Sequence, residues 1–186
     1  MHKLNISLVL ILLSLLPACK YDETKDSVKL NSYSGKKFYL KDIVDTSGQK
    51  VELDFSKTDL TLIDFWNNSC PPCINEMKQF PGLLKDKANK ISIVSISLTQ
   101  FYIWQQTLKE HKDAFYFLGS STPGWTQYNL LTKENPKLKN EFSIDRHTEL
   151  DSLYKIKGYP AYFVVNKNGE IVLRPESAVT FLKNLN

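Results

Sequence analysis

The chain has 186 residues, 42% of them hydrophobic, with 24 Lys and Arg against 20 Asp and Glu for a formal net charge of +4. The basic residues are scattered among acids without an arginine-rich run or stripe, which argues against a nucleic-acid partner. Three cysteines are too few for a disulfide-stapled scaffold.

Residues 1–18 read as a targeting segment. His2 and Lys3 make a short basic start, Leu8 to Leu16 is apolar apart from Ser14, and Leu16-Pro17-Ala18-Cys19 closes it. The run is short for a membrane-spanning helix. A small residue before a cysteine is similar to a bacterial lipoprotein signal, which predicts cleavage ahead of Cys19 and lipid on that residue. Pro17 departs from the Ser, Ala or Gly usual there, and the alternative is an ordinary signal peptide with an incidental cysteine. Either way the chain is exported. Without residues 1–18 the mature chain has 23 basic and 20 acidic side chains, and a lipid on Cys19 leaves one cysteine pair, Cys70 and Cys73. About 150 residues beyond the tether suffice for one domain with its own core.

Residues 19–34 are polar and aperiodic and read as a flexible tether ahead of a domain at 35–186. Phe38-Tyr39-Leu40, a turn at Thr46-Ser47-Gly48-Gln49, and Val51-Glu52-Leu53-Asp54-Phe55 predict a β-hairpin. Leu60–Trp66 predicts a buried strand. Its anomaly is Asp64, an acid that costs several kcal/mol if buried charged and unpaired; it is either protonated, pointing from a strand edge to water, or kept for a chemical reason.

After the strand comes Asn67-Asn68-Ser69, then Cys70-Pro71-Pro72-Cys73 at the start of an amphipathic pattern. A helix N-terminus stabilises an anion, so Cys70 should ionise readily and act as a nucleophile. Pro71 suits the first helical position. Cys73 lies one turn on, placed to resolve a mixed disulfide formed at Cys70. The bland alternatives are a structural bridge, which stabilises little across so short a loop, and half a zinc site, for which His111 and His147 offer no paired ligands.

The helix is expected to run to about Asn89, bent by Pro81, with Ile74, Met77, Phe80, Leu84 and Ala88 inward. Ile91–Leu98 predicts a second strand, Tyr102–Lys112 a helix, and Phe115–Leu118 an edge strand. Residues 120–145 read as an insertion with one helix near Trp125–Lys133, its aromatics expected in the core, with a partner surface as the alternative. A short helix at Thr148–Lys155, a hairpin of Ala161–Val165 and Glu170–Leu173 around Asn166–Gly169, and a helix at Glu176–Leu185 complete the chain.

Asp64-Phe65-Trp66 through Cys70-Pro71-Pro72-Cys73, then Glu76-Met77, and later Gly158-Tyr159-Pro160 with Ala161–Val172, resemble the TlpA/ResA-like thiol–disulfide oxidoreductases of the thioredoxin superfamily. The resemblance spans about residues 35–186. It departs at Ser69, where a Trp commonly stands, at Lys78, where a Pro follows Glu-Met, and at Tyr159, which is bulkier than the usual Thr or Ile. It implies an α/β thioredoxin-like fold: a central mixed sheet, helices on both faces and an N-terminal β-hairpin. It also implies that Asp64 takes the proton of Cys73, that Glu76 assists near the site, and that Pro160 belongs to the superfamily's cis-proline loop. Trp66, Pro71, Pro72, Tyr159 and Pro160 would frame the substrate.

The function expected is an extracytoplasmic thiol–disulfide oxidoreductase, reducing partner disulfides with no cofactor or metal beyond the redox-active Cys70–Cys73 disulfide. Its partners would be protein disulfides or dithiols and an upstream membrane electron donor. It would be a monomer, lipid-anchored through Cys19 to a bacterial membrane and facing the periplasm or cell exterior. A thioredoxin-fold binding module, or a copper chaperone, is the alternative.

Overall fold

The computed structural model describes residues 33–119, 121–131, 150 and 152–185. The targeting segment, Cys19 and most of the tether lie outside the described residues.

Six strands form one sheet in the order β1-β4-β3-β2-β5-β6: β1 Ile43–Val44, β2 Leu60–Trp66, β3 Ile91–Ser97, β4 Trp125–Leu130, β5 Ala161–Asn166 and β6 Ile171–Leu173. β2, β3 and β4 run parallel, while β1, β5 and β6 join antiparallel to their neighbours. Parallel neighbours need a crossover. Helices α1 Pro71–Met77 and α2 Phe80–Leu84 supply it between β2 and β3; α3 Phe101–Glu110 and a 3-10 helix at Asp113–Gly119 supply it between β3 and β4. α4, Ala178–Asn184, closes the described chain.

β2 is central, and six of its seven residues are buried, as expected of a strand covered on both faces. Leu62 and Trp66 face a core shared with Cys70, Cys73, Met77, Phe80, Trp104 and Leu182. Ile63 and Phe65 face the other core with Phe38, Tyr154, Phe163 and Val165. The helices therefore cover one face, and residues 33–55 with the helical turn at 152–154 cover the other. Phe38 stacks on Tyr154 with ring centroids 5.0 Å apart, and the Tyr39 N–H donates to the Tyr154 hydroxyl at 2.8 Å.

Four local expectations are corrected. The N-terminal hairpin shrinks to its turn: Asp45 Oδ1 accepts the Ser47 and Gln49 N–H groups, and Val44 bridges Lys50. Beyond that the arms part, because the Phe38 N–H donates to the Gly169 carbonyl and Lys37 pairs with Glu170. The first helix breaks at Lys78–Gln79, and Pro81 stands in the first turn of α2, the position where its missing N–H costs nothing. Phe115–Leu118 belongs to the 3-10 helix; four apolar residues carry no period that separates strand from helix. Residues 125–130, read as helix within an insertion, form sheet strand β4, hydrogen-bonded beside β3.

Candidate functional site

The loop that delivers the cysteines is pinned before the helix begins. The Asn68 N–H donates to Thr99 Oγ1 at 2.9 Å, Asn68 Nδ2 to Thr107 Oγ1 at 2.6 Å, and Thr99 Oγ1 back to Asn68 Oδ1 at 3.0 Å. One asparagine thus ties the loop to the end of β3 and to α3. Asn67 Oδ1 accepts the Ser69 N–H at 2.9 Å, a turn built by an Asn side chain on its own backbone.

Cys70 is the N-cap of α1, and its sulfur accepts the Cys73 N–H at 3.3 Å. The two cysteines are joined in a disulfide, with Cα atoms 5.3 Å apart. Cys70 is 7% exposed and Cys73 is sealed; Pro71 and Pro72, in the first turn, are exposed. The Tyr159–Pro160 bond is cis. β5 begins directly after it, and Ala161 lies opposite Phe65, so the loop stands at the end of the sheet where β2 runs out into the dithiol. Tyr159 and Pro160 are half-buried. Trp66, expected at the substrate surface, is wholly buried and packs 6.2 Å from Phe115; its side chain turns to the helix-covered face, so it supports the site from below.

Asp64 stands between Leu62 and Trp66 on that same face by the alternation of the strand. It is completely buried and not at a strand edge. Ser95 Oγ donates to its Oδ2 at 2.8 Å; Oδ1 has no hydrogen-bond partner among the described residues. Burial pushes the carboxyl up to about 7, opposed by the Ser95 bond and reinforced by the charge of Glu76.

Tyr162 lies directly opposite Asp64. Its hydroxyl donates to Glu76 Oε2 at 3.0 Å, and the Val179 N–H of α4 donates to the same oxygen at 3.2 Å. Burial, with the two carboxylates beside it, drives the Tyr162 phenol far above its ordinary range, so it remains a donor. The site therefore gathers a slightly exposed cysteine, a sealed one, and two acids flanking a neutral phenol. Among the described residues no three His, Cys, Asp or Glu side chains are grouped to hold a metal ion.

Sequence reasoning missed Asn68, Ser95, Trp125 and Tyr162. Ser95 carried a faint signal, a hydroxyl inside an apolar strand. Tyr162 carried none, because a tyrosine in a buried strand is ordinary packing.

Residues 32–174 match the AhpC/TSA family. The thiol–disulfide oxidoreductase ResA of Bacillus cereus is 23% identical over 131 residues, 70% of this chain and 62% of its own. The thioredoxin-like protein YneN of Bacillus subtilis is 29% identical over 69 residues, 37% of this chain and 41% of its own. The matches thus span less than two thirds of either relative. A thiol:disulfide interchange protein from Bacteroides sp. superposes with a TM-score of 0.55 at 22% identity, covering 81% of this chain and 86% of that one. The thioredoxin domain of a Bacteroides vulgatus thiol-disulfide oxidoreductase does so at 0.55 and 21%, covering 82% and 98%. The family match covers most of the chain, and the chain belongs to the AhpC/TSA family; it is similar to the TlpA/ResA-like proteins and shares the thioredoxin-like fold.

Proposed function

We propose that this chain is a thiol–disulfide oxidoreductase that reduces disulfides of partner proteins outside the cytoplasm, held to a bacterial membrane by lipid on Cys19. The observation that carries the reading is the Cys70–Cys73 disulfide at the head of α1, with Cys70 slightly exposed and Cys73 sealed.

In the reduced protein the Cys70 thiolate attacks one sulfur of a partner disulfide. A mixed disulfide forms and the partner's other sulfur leaves as a thiolate. Cys73 then gives its proton to Asp64, and its thiolate attacks Cys70 Sγ. The Cys70–Cys73 bond forms, the mixed disulfide breaks, and the partner's second sulfur leaves; two electrons have passed to the partner. An upstream dithiol donor at the membrane returns them. An acid tuned near neutrality suits proton transfer in both directions, and the burial of Asp64 supports that role for it. Tyr159, Pro160, Pro71 and Pro72 would offer the surface against which an extended partner segment lies.

Replacing Cys73 by Ala removes the resolving thiol, so a reductant-sensitive adduct with partner proteins should accumulate in the native host; Cys70→Ala should trap none. No adduct from Cys73→Ala would favour a binding module on this fold instead.

A further inference from the structure

Trp125 and Ser95 form a one-way hydrogen-bond chain that ends on Asp64. Trp125 Nε1 donates to Ser95 Oγ at 2.9 Å, and Ser95 Oγ donates to Asp64 Oδ2 at 2.8 Å. An indole N–H can only donate, and a hydroxyl carries one proton. Trp125 occupies one acceptor position of the Ser95 hydroxyl, and its only proton points to Asp64 Oδ2. The indole is itself fixed, packed edge-on to Phe80 at 5.4 Å and stacked on Phe117 at 6.1 Å.

From this chain we infer that Ser95 and Trp125 are positioning residues for proton transfer, holding Asp64 Oδ2 as an acceptor so that the proton arrives on and leaves from Oδ1. The inference rests on the proposed oxidoreductase function and extends it to two residues outside the dithiol and its two acids.

Oδ1 is buried and has no partner among the described residues, so it is the oxygen left open to a proton. The titratable groups that act on Asp64 from the packed elements are Glu76 on α1 and Tyr162 on β5. Among the described residues, β3 and β4 bring the neutral Ser95 and Trp125 into its hydrogen-bond chain, with the neutral Gln127 in register beside Ser95. Glu76 Oε2 is already held by Tyr162 and the Val179 N–H, and Tyr162 does not ionise. Cys70 and Cys73 are disulfide-bonded, so in the oxidised protein neither sulfur titrates.

The test is a carbon-13 NMR titration of the Asp64 carboxyl in the oxidised mature chain, with the pH profile of mixed-disulfide resolution measured alongside in the reduced protein. Ser95→Ala removes a bond that favours the carboxylate, so the Asp64 midpoint should rise by about one pH unit. Trp125→Phe frees the Ser95 hydroxyl to turn and should give a smaller rise, while Ser95→Thr should titrate like the parent. The resolution profile should move with the midpoint. An unchanged midpoint in Ser95→Ala, with or without a loss of stability, overturns the inference. If the midpoints shift as expected while no variant or parent turns over a disulfide at any pH, proton placement on Asp64 stands and the oxidoreductase reading falls.

Discussion

Asp64 is an acid where water does not reach, and its protonation is coupled to folding. In the unfolded chain it releases its proton near 3.8, and in the folded chain only near 7. Below about pH 4 both states hold the proton and Asp64 costs nothing. As pH rises from about 4 to about 7, the folded state keeps a proton that the unfolded state has released, so stability falls across that window and levels off above it. At about 1.4 kcal/mol per pH unit, the interval corresponds to at most on the order of 4 kcal/mol. Asp64→Asn removes the burden. In denaturant unfolding of the oxidised proteins, the variant should exceed the parent by no more than about 1 kcal/mol near pH 4.5 and by a few kcal/mol at pH 8; an equal difference at both pH values would contradict the assignment. The same substitution should slow resolution of the mixed disulfide more than the first attack, because it removes the base proposed for Cys73. Glu76 Oε2 is met by two donors, the Tyr162 hydroxyl and the α4 backbone N–H, which fix its side chain in place.

At the scale of elements, the decisive strand is β4, since it brings Trp125 to Ser95. Gly124 makes its entry possible. The residue has φ of +80°, and a Cβ there would sit 3.3 Å from the Ala88 Cβ, while its carbonyl accepts the Ile93 N–H at 2.7 Å. Gly124→Ala should therefore cost about 1–2 kcal/mol. Gly82, within α2, meets nothing within 4 Å of a built Cβ and has no positive φ; Gly82→Ala should stabilise by about 0.5–1 kcal/mol. Paired thermal melts give the two signs, and a neutral Gly124→Ala would mean that the β4 entry relaxes freely. The elements read well from sequence were those with a period or a stop signal of their own, such as β2, β3 and the β5–β6 hairpin, where Gly169 takes φ of +79°. The elements misread were those whose neighbours decide. The stretch at 38–40 abandons its hairpin partner because the turn before β6 offers its backbone a bond, and residues 125–130 become strand because β3 has an open edge beside them.

At the scale of the whole molecule, the domain would be the working end of a tethered chain. No helix among the described residues is long and apolar enough to cross a membrane; the proposed attachment through Cys19 has a direct test. Cys19→Ser should move the protein from the detergent phase to the aqueous phase, or leave it unprocessed; a parent protein wholly in the aqueous phase would contradict lipidation. The dithiol, its place at a helix start and the flanking buried strand were legible in the sequence, because each is written in consecutive residues whose backbone preferences are local; the proline loop was implied by the family resemblance. The three-dimensional arrangement was needed to learn that Asp64 is sealed and not at an edge, that Trp66 lies beneath the site, and that Ser95, Trp125 and Tyr162 lie around Asp64. Those facts are contacts between residues 30 to 86 positions apart, and a hydrogen bond across strands depends on which strands become neighbours, a choice made by burial of the whole sheet and not by any one segment.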